Sequence, residues 1–559
     1  MKRFATSDIE ANHWIKFNMI GFYNGEEFKI FSSLKKYLDF VIDKKNSGLR
    51  IYFHNGGRYD FLFLVQELLD RKGKIDFISK SSGLLMLKYF EKDTVIEFAD
   101  SFALLPASLE KLIETYNIKE KKIEIDFKKE YKFSDKRLQE HLKNDCISLY
   151  NILDKLKKQE GSLKLTIASQ AMYNFEHKFF KGEIWNVSQD FDKYFREKYY
   201  KGGRVEVYKN FGKNLYYYDV NSLYPYVMLK KMPVGMPIKT KEYIKNKIGF
   251  YEIRLLQDTD FYISILTVKN KKGNFYVNGD NGDIFNLTSV EIKYLIDKKI
   301  KFEIIEGYYF EKDAYLFTKY VKYYYDKKVN AKDETERYFA KLMLNSLYGK
   351  FGQKLNGEVI EQNTGQGDYP VFDSYNDLLL VDKERKIKFK GVYIAAYITS
   401  LARMKHLNLM EKIGIDNIYY CDTDSIICDK KIKTDNKIGG LKIVAKIKEG
   451  IFLLPKVYGY IDKDGKENVH VKGFSSKSFS YEDLKKLLLN EKQSLKERGE
   501  RILGFKECMK RVNNIKMSEG NYLKLVDTTK ILENKYTRRK LIKDKKHINI
   551  TVPFKLNEI

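Results

Sequence analysis

The sequence has little of what would cross-link a chain, carry it through a bilayer or keep it unfolded. Its 559 residues include four cysteines, Cys146, Cys421, Cys428 and Cys508, with no paired metal-binding spacing, which excludes a disulfide scaffold or a zinc ribbon and points to a reducing compartment. Seven prolines exclude a proline-rich or collagen-like chain. No run of ~18 apolar residues occurs, and with a mean hydropathy of −0.49 a membrane partner has no support. Asp8 and Glu10 interrupt the first residues before any apolar stretch, which argues against a secretory signal. The expectation is action in the cytoplasm of a host cell, with a mitochondrial plasmid origin left open. Internal repeats and low-complexity tracts are also missing.

What is present is core and positive charge. Apolar residues make up 43% of the chain, enough for several buried cores, and the length suggests three to five domains at about 100–200 residues each. Lys and Arg number 103 against 76 Asp and Glu, a net charge of +27 that calls for a polyanionic partner. With membranes unsupported, nucleic acid is the candidate. The 43 tyrosines and 37 phenylalanines are mostly core material, but aromatic rings among basic residues also stack on bases.

The first 190 residues read as alternating strands and helices: a strand over Arg50–His54, a turn at Asn55-Gly56-Gly57, an apolar helix over Phe61–Leu69, and a closing helix from about Ser134 to Lys158. Leu215–Val220 reads as a buried strand leading to a turn at Pro225. Ala314–Lys327 and Glu334–Lys350 read as a helical hairpin, Gly357–Lys388 as a small β insert, and Ile418–Cys428 as two strands around an Asp-Thr-Asp turn. From about Ser480 the lysine-rich chain reads as mostly helical.

Three carboxylates stand where a core would reject them. Asp422 and Asp424 lie two apart between apolar flanks, hence on one face of a strand, and two such carboxylates repel unless a cation shares them. Asp219 ends another apolar strand, and two strands ending in acids suggest a shared metal site. Mg2+ favours carboxylate oxygens and leaves positions open for substrate phosphates, and a pair of ions can drive an in-line displacement. Arg337, Lys341, Asn345 and Gly349 recur every four residues down one side of a helix, either as a solvated face or as a cationic grip on a triphosphate.

Taken together, Asp219-x-x-Ser-Leu-Tyr-Pro, Lys341-x-x-x-Asn-Ser-x-Tyr-Gly and Tyr420-x-Asp-Thr-Asp-Ser resemble motifs A, B and C of family B DNA polymerases, in that family's order. The resemblance implies an α/β multidomain fold, an RNase H-like exonuclease domain followed by a right-hand polymerase. It implies that Asp219 and Asp424 hold two metal ions with help from the Val220 carbonyl, that Asp422 is a neighbouring acid, and that Lys341 and Arg337 contact the triphosphate. Asn345 and Tyr348 would border the nascent pair beside Gly349, and Tyr224 would exclude a 2′-hydroxyl. Tyr200-Lys201-Gly202-Gly203 resembles the linker that touches template, and Lys456-Val457-Tyr458 the motif that holds the primer end, through Lys456 and Tyr458. The long interval between Asp219 and Lys341, and residues 353–390, leave room for two inserts like those of protein-primed members from phages, adenoviruses and linear plasmids. On that basis the expected divisions are exonuclease 1–190, palm 191–230 and 391–480, first insert 231–312, fingers 313–352, second insert 353–390 and thumb 481–559. The implied partners are DNA template and primer, dNTPs and a terminal protein that serves as primer, with a monomeric enzyme and two Mg2+ per site, or Mn2+ in its place. Two alternatives stand beside this: a nucleic-acid-primed polymerase of the same family, and a DNA-binding replication factor without chemistry.

In the N-terminal unit, Asp8 and Glu10 share a strand face, Asp60 follows the Asn55-Gly-Gly turn, and His141 and Asp145 share a helix face. By themselves these are either scattered surface acids or a two-metal site for phosphodiester hydrolysis. By resemblance they match a 3′→5′ proofreading exonuclease, with Lys122 as its catalytic lysine and His54, Asn55, Tyr59, Ser101 and Phe102 handling the frayed strand. The sequence departs from that pattern twice: His141 replaces a tyrosine, and Ala11 replaces a threonine. An imidazole changes charge near pH ~6.5, unlike a phenol, so exonuclease activity should fall more sharply at acid pH than with a tyrosine. The pH–rate profile of His141→Phe checks this; a profile identical to wild type would contradict it.

Overall fold

The computed structural model describes residues 3–71, 73–80, 83–120, 123–126, 129–270, 273–362, 374–375, 378–385, 387–475, 477–511, 523–543 and 549–559. Two seven-stranded sheets organise it. In the first, the strand Phe4–Asn12 is buried at every position but Asp8, as a strand covered on both faces must be. Across the sheet the order is Phe28–Phe31, Lys16–Tyr23, Phe4–Asn12, Arg50–Phe53, Thr94–Asp100, Gly83–Glu91, Lys74–Lys80. Phe4–Asn12, Arg50–Phe53 and Thr94–Asp100 run parallel, with antiparallel neighbours on either side. Ala5 and Ile9 pack with the helices Leu34–Val41 and Asp60–Leu69. The opposite face meets the helix Lys136–Glu160, where Thr6 Oγ1 donates to the Cys146 carbonyl at 2.7 Å.

The second sheet is antiparallel throughout, in the order Glu467–Val471, Val457–Asp462, Leu441–Leu454, Phe211–Val220, Ser425–Cys428, Ile418–Asp422, Val205–Val207. The helix Val392–Ile413 packs behind it, buried around most of its circumference, and His406 Nε2 meets the Ser425 carbonyl at 3.0 Å. A helix apolar on all sides has no period for a sequence reading to detect.

Between the arms of this sheet, Met232–Val234 pairs with Lys312–Ala314 and closes off a segment with its own four-stranded sheet and the helix Ser289–Asp297. The helices Thr318–Val329 and Glu334–Ser346 follow as a hairpin, the second capped by the Asp333 carboxylate on the Glu336 N–H. A small sheet built on Asn356–Gln362 and Leu378–Glu384 comes next. Among the described residues no helix is long and apolar enough to cross a membrane.

Two local readings are corrected. Pro225 sits inside a short helix, Leu223–Met228, not in an open turn; it stands in the first turn, where its missing N–H costs nothing. Beyond the helix Tyr481–Leu488 the chain is not mainly helical. Ser494–Ile502 pairs antiparallel with Leu525–Glu533, and Lys540–Lys543 with Asn549–Val552. Lys, Glu and Arg favour helix locally, but here the ribbon is fixed across strands. Leu495 opposes Leu532, both buried, and Glu497 opposes Lys530 at 3.0 Å.

The last residues return to the central sheet. Arg539 is fully buried, donating to Thr551 Oγ1 at 2.8 Å and to the carbonyls of Tyr262 at 2.8 Å and Thr551 at 3.0 Å, with Glu206 at 3.4 Å. Burial works to raise the Glu206 carboxyl, but Arg539 and Arg204 outweigh it and hold it below its ordinary value. Glu206 lies on the strand that pairs with Tyr420–Asp422, so the C-terminal segment braces the acidic turn from behind. Arg539→Met should lower stability by about 3 kcal/mol, the toll of leaving a buried ion network one partner short, read as a fall in Tm by calorimetry.

Candidate functional site

The first site forms at the centre of the second sheet. Phe211–Val220 and Ser425–Cys428 are neighbours, with Asp219 opposite Ser425 and the Val220 N–H donating to the Asp424 carbonyl at 2.8 Å. That register brings Asp219 and Asp424 side by side. Burial, then the Asp219 charge, push the Asp424 carboxyl up to about 6. The Asp422 charge adds a smaller push. Thr423 has φ +58°, so the turn breaks the strand alternation that would align the two acids, and Asp422 receives Lys456 Nζ at 2.6 and 2.7 Å. The expectation of a shared face for Asp422 and Asp424 is corrected by that one left-handed residue.

The Tyr200-Lys-Gly-Gly segment backs the same turn. The Thr423 N–H donates to the Arg204 carbonyl at 2.7 Å, and a Cβ on Gly203 would stand 2.8 Å from the Thr423 side chain. Lys201 is buried beneath, its Nζ on the carbonyls of Thr267 and Asn286 at 3.1 and 2.8 Å; burial depresses its ammonium to about 8. Arg403 ties the Lys201 carbonyl at 2.7 Å to Glu291 at 2.7 Å.

Above the acids lies a ring of cations. Arg337, Lys341, Asn345 and Gly349 share the exposed side of their helical segment, while Phe339, Ala340, Met343 and Leu344 face the core. Lys328, which the sequence reading did not single out, donates to Ser222 Oγ at 3.0 Å, and its ammonium is lowered by burial and then by Lys442, Lys341 and Arg337, against the pull of Asp219. Lys442, also unforeseen, lies beside Asp219 on the neighbouring strand with Nζ 2.9 Å from its carboxylate. Tyr224 and Tyr348 stack at 4.2 Å between centroids and 9° between planes. These two rings, Tyr200, Gly202, Arg196, Lys269 and Lys354 line one cavity of about 420 Å3. Lys456 is left-handed, φ +64°, and its N–H donates to the Tyr420 hydroxyl at 2.9 Å, while the Tyr458 ring packs 5.1 Å from Tyr420.

The second site forms on the first sheet, on the face toward Lys136–Glu160. Glu10 Oε1 is 3.3 Å from His141 Nε2, and Asp145 Oδ2 is 3.7 Å from the same nitrogen. Glu10, Asp60, His141 and Asp145 are all buried, and Asp60 Oδ1 accepts the Ile9 N–H at 3.1 Å. The Cys146 thiol is pushed up by burial and then by Asp8, Asp145, Glu10 and Asp60, so all four acids converge on it. Burial raises the Asp60 carboxyl to about 7, with the Asp100 charge adding to it, and burial raises Asp100 to about 6. Asp100 was not foreseen. Its Oδ1 accepts the N–H groups of Asn55 and Phe102, each at 2.9 Å, and so ties the Asn55 turn to the turn at Ser101–Ala103. His54 meets Ser101 Oγ at 2.9 Å and the Ala107 carbonyl at 2.8 Å, so its ring bridges two loops. Gly57 is fixed by sterics: a Cβ there would meet the Leu84 carbonyl oxygen at 1.6 Å. Lys122 lies outside the described residues.

The donor atoms suit a hard cation. Each site offers a carboxylate, Asp424 in one and Asp60 in the other, whose protonation is favoured by burial and then by a neighbouring charge, the condition a divalent ion relieves. Among the described residues no three His, Cys, Asp or Glu side chains stand close enough to cage an ion by themselves. Mg2+ commonly completes its shell with backbone carbonyls, water and substrate phosphates.

Two sheets thus each carry a set of neighbouring carboxylates, one of them beneath a cationic helix. The chain belongs to the organellar and viral type B DNA polymerases, whose family model matches residues 43–138 and 122–430. It is similar to a probable DNA polymerase of Neurospora intermedia, 28% identical over 85% of this chain and 59% of that one. A probable DNA polymerase of Ascobolus immersus is 28% identical over 80% of this chain and 44% of that one, so the chain spans about half the length of these relatives. The DNA-directed DNA polymerase of Enterobacteria phage PRD1 is 28% identical over 73% of this chain and 72% of that one. The fold is shared with Phi29 DNA polymerase solved with primer-template DNA and incoming nucleotides, at a TM-score of 0.76 and 21% identity, covering 96% of this chain and all of that one. The α/β multidomain architecture expected from the motifs is thus the observed fold, and the family implies dependence on divalent metal.

Proposed function

We propose that the chain is a template-directed DNA polymerase that replicates a viral or linear-plasmid genome, begins synthesis on a terminal protein and proofreads with a 3′→5′ exonuclease. The observation that carries this reading is the convergence of Asp219 and Asp424 with Lys328, Lys341, Arg337 and the stacked Tyr224–Tyr348 pair. Such a set fits nucleotidyl transfer. Asp219, Asp424 and the Val220 carbonyl would hold Mg2+, which supplies charge neutralisation and activation of the attacking hydroxyl. Lys341, Arg337 and Lys328 would neutralise the triphosphate, Tyr224 would close the sugar pocket against a 2′-hydroxyl, and Asn345, Tyr348 and Gly349 would border the new pair. Tyr200, Gly202 and Gly203 would guide template, while Lys456 and Tyr458 would steady the primer end. In the N-terminal unit Asp8, Glu10, Asp60 and Asp145 would hold the hydrolytic metals, with His141 and Lys122 assisting and His54, Asn55, Tyr59, Ser101 and Phe102 guiding the strand. The proposal places this action in the cytoplasm of the host, with a mitochondrial plasmid origin left open.

Protein priming rests on the two inserts, 231–312 and 353–390, which would meet the terminal protein. Incubation with candidate terminal protein, labelled dNTP and Mg2+ tests it. A covalent nucleotidyl-protein is expected; its absence, with extension of a DNA primer intact, would favour a nucleic-acid-primed enzyme.

A further inference from the structure

The hairpin joining the first two strands of the N-terminal sheet carries Trp14, one of only two tryptophans in the chain, with 48% of its surface exposed. Its neighbour Ile15 is 47% exposed. The turn does not favour these residues. His13 and Trp14 have φ of +49° and +66°, a left-handed pair in which Asn-Gly would be at ease and a bulky side chain is strained. The ring is nevertheless held in place. Tyr59 donates its hydroxyl to the Trp14 carbonyl at 2.8 Å, and the two rings meet edge to face at 6.2 Å. Tyr59 in turn packs edge-on to Phe63 at 5.4 Å, which anchors it in the unit.

Tyr59 also locates the tryptophan relative to the chemistry. Its hydroxyl is raised by burial and then by the charges of Asp60, Glu10 and Asp8, so one aromatic ring separates Trp14 from the carboxylates. Lys16, two residues on, is exposed beside the indole, with Glu130 as its counter-ion 2.5 Å from Nζ. An exposed indole beside acids that would bind metal, in a chain of net charge +27 and with Lys16 at its edge, matches a base and its phosphate, not an apolar peptide. Every base offers a π-face, so such a platform serves any sequence.

We propose that Trp14 is a base-stacking platform for unpaired nucleotides of the DNA strand entering the N-terminal carboxylate site. This rests on the exonuclease reading of that site. Trp14 touches the strand, not the reacting phosphodiester, so it governs binding.

The test uses the full-length protein. With Trp185→Phe and Asp60→Asn as background, Trp14 is the sole tryptophan and hydrolysis is blocked; oligo(dT) should then quench its fluorescence, and an oligonucleotide of abasic sites should not. In the otherwise native protein, Trp14→Ala should raise KM for single-stranded DNA degradation about 5- to 150-fold with kcat within about threefold of wild type, since the metal-binding acids are untouched. Trp14→Phe should restore most of the affinity, and extension of a duplex primer should not change. Degradation of single strands by wild type with an unchanged KM in Trp14→Ala and no quenching would overturn the platform while leaving the exonuclease. Quenching by oligo(dT) from a protein whose native form degrades nothing would instead overturn the exonuclease reading while supporting the platform. Quenching by a terminal protein but not by oligo(dT) would overturn the proposal in favour of a protein contact.

Discussion

Replacing Asp424 by asparagine should leave a folded protein that no longer extends a primer, with nucleotide addition reduced at least about 10³-fold, ~4 kcal/mol of barrier. Asp424 and Asp219 are set together by the pairing of their strands, and Asp424 is raised to about 6 by burial and then by Asp219. A carboxyl whose folded value exceeds its ordinary 3.8 binds a proton more tightly in the folded state than in the unfolded one, so stability falls as pH rises through that interval and the full penalty is present above about 6. A divalent ion relieves it and asparagine removes it. In EDTA at pH 7–8, Asp424→Asn should therefore be more stable than wild type by about 1–3 kcal/mol, and the gap should narrow toward pH 4. Adding Mg2+ should stabilise wild type more than the variant. Single-turnover extension and thermal unfolding at two pH values measure both halves. A variant that is inactive but also less stable in EDTA would mean that Asp424 holds the fold and not an ion.

Asp60→Asn should abolish degradation of single-stranded DNA by at least about 10²-fold while primer extension continues. The Ile9 N–H keeps an acceptor in the amide oxygen, so the loss reports chemistry and not collapse of the turn. Burial, then the Asp100 charge, raise the Asp60 carboxyl to about 7. A proton and a divalent ion compete for such a carboxylate, so at limiting metal a falling pH should quench degradation, and added Mg2+ should move that loss to lower pH. The pH profile of degradation at limiting and at saturating Mg2+ measures this, and a profile that the metal does not move would contradict it.

Much of both sites is legible in the sequence because charge was placed against burial. Asp219 and Asp422 stand at the ends of apolar strands with Asp424 in the turn that follows, and Glu10 sits in a strand buried at every position but Asp8. What was not legible depended on backbone twist or on distant neighbours. The left-handed Thr423 sends Asp422 to Lys456, and nothing in Asp-Thr-Asp announces that sign of φ. Lys328 and Lys442 were hidden among 103 basic residues, and only the packing of a helix and a strand against Asp219 singles them out. Asp100 reads as an ordinary strand end until its carboxylate is seen to cap two loops. The ribbon Ser494–Ile502 with Leu525–Glu533 was missed because its residues favour helix locally, while its ladder comes from a partner more than twenty residues away.

The most direct test of the account is single-nucleotide incorporation on four primer-templates that differ only in the templating base, with Mg2+ and each dNTP in turn. The account predicts that wild type adds the complementary nucleotide in each case, that Asp219→Asn and Asp424→Asn add none, and that both variants still bind the duplex. Wild-type protein that binds the duplex but adds no nucleotide, or adds the same one whatever the template, would contradict it.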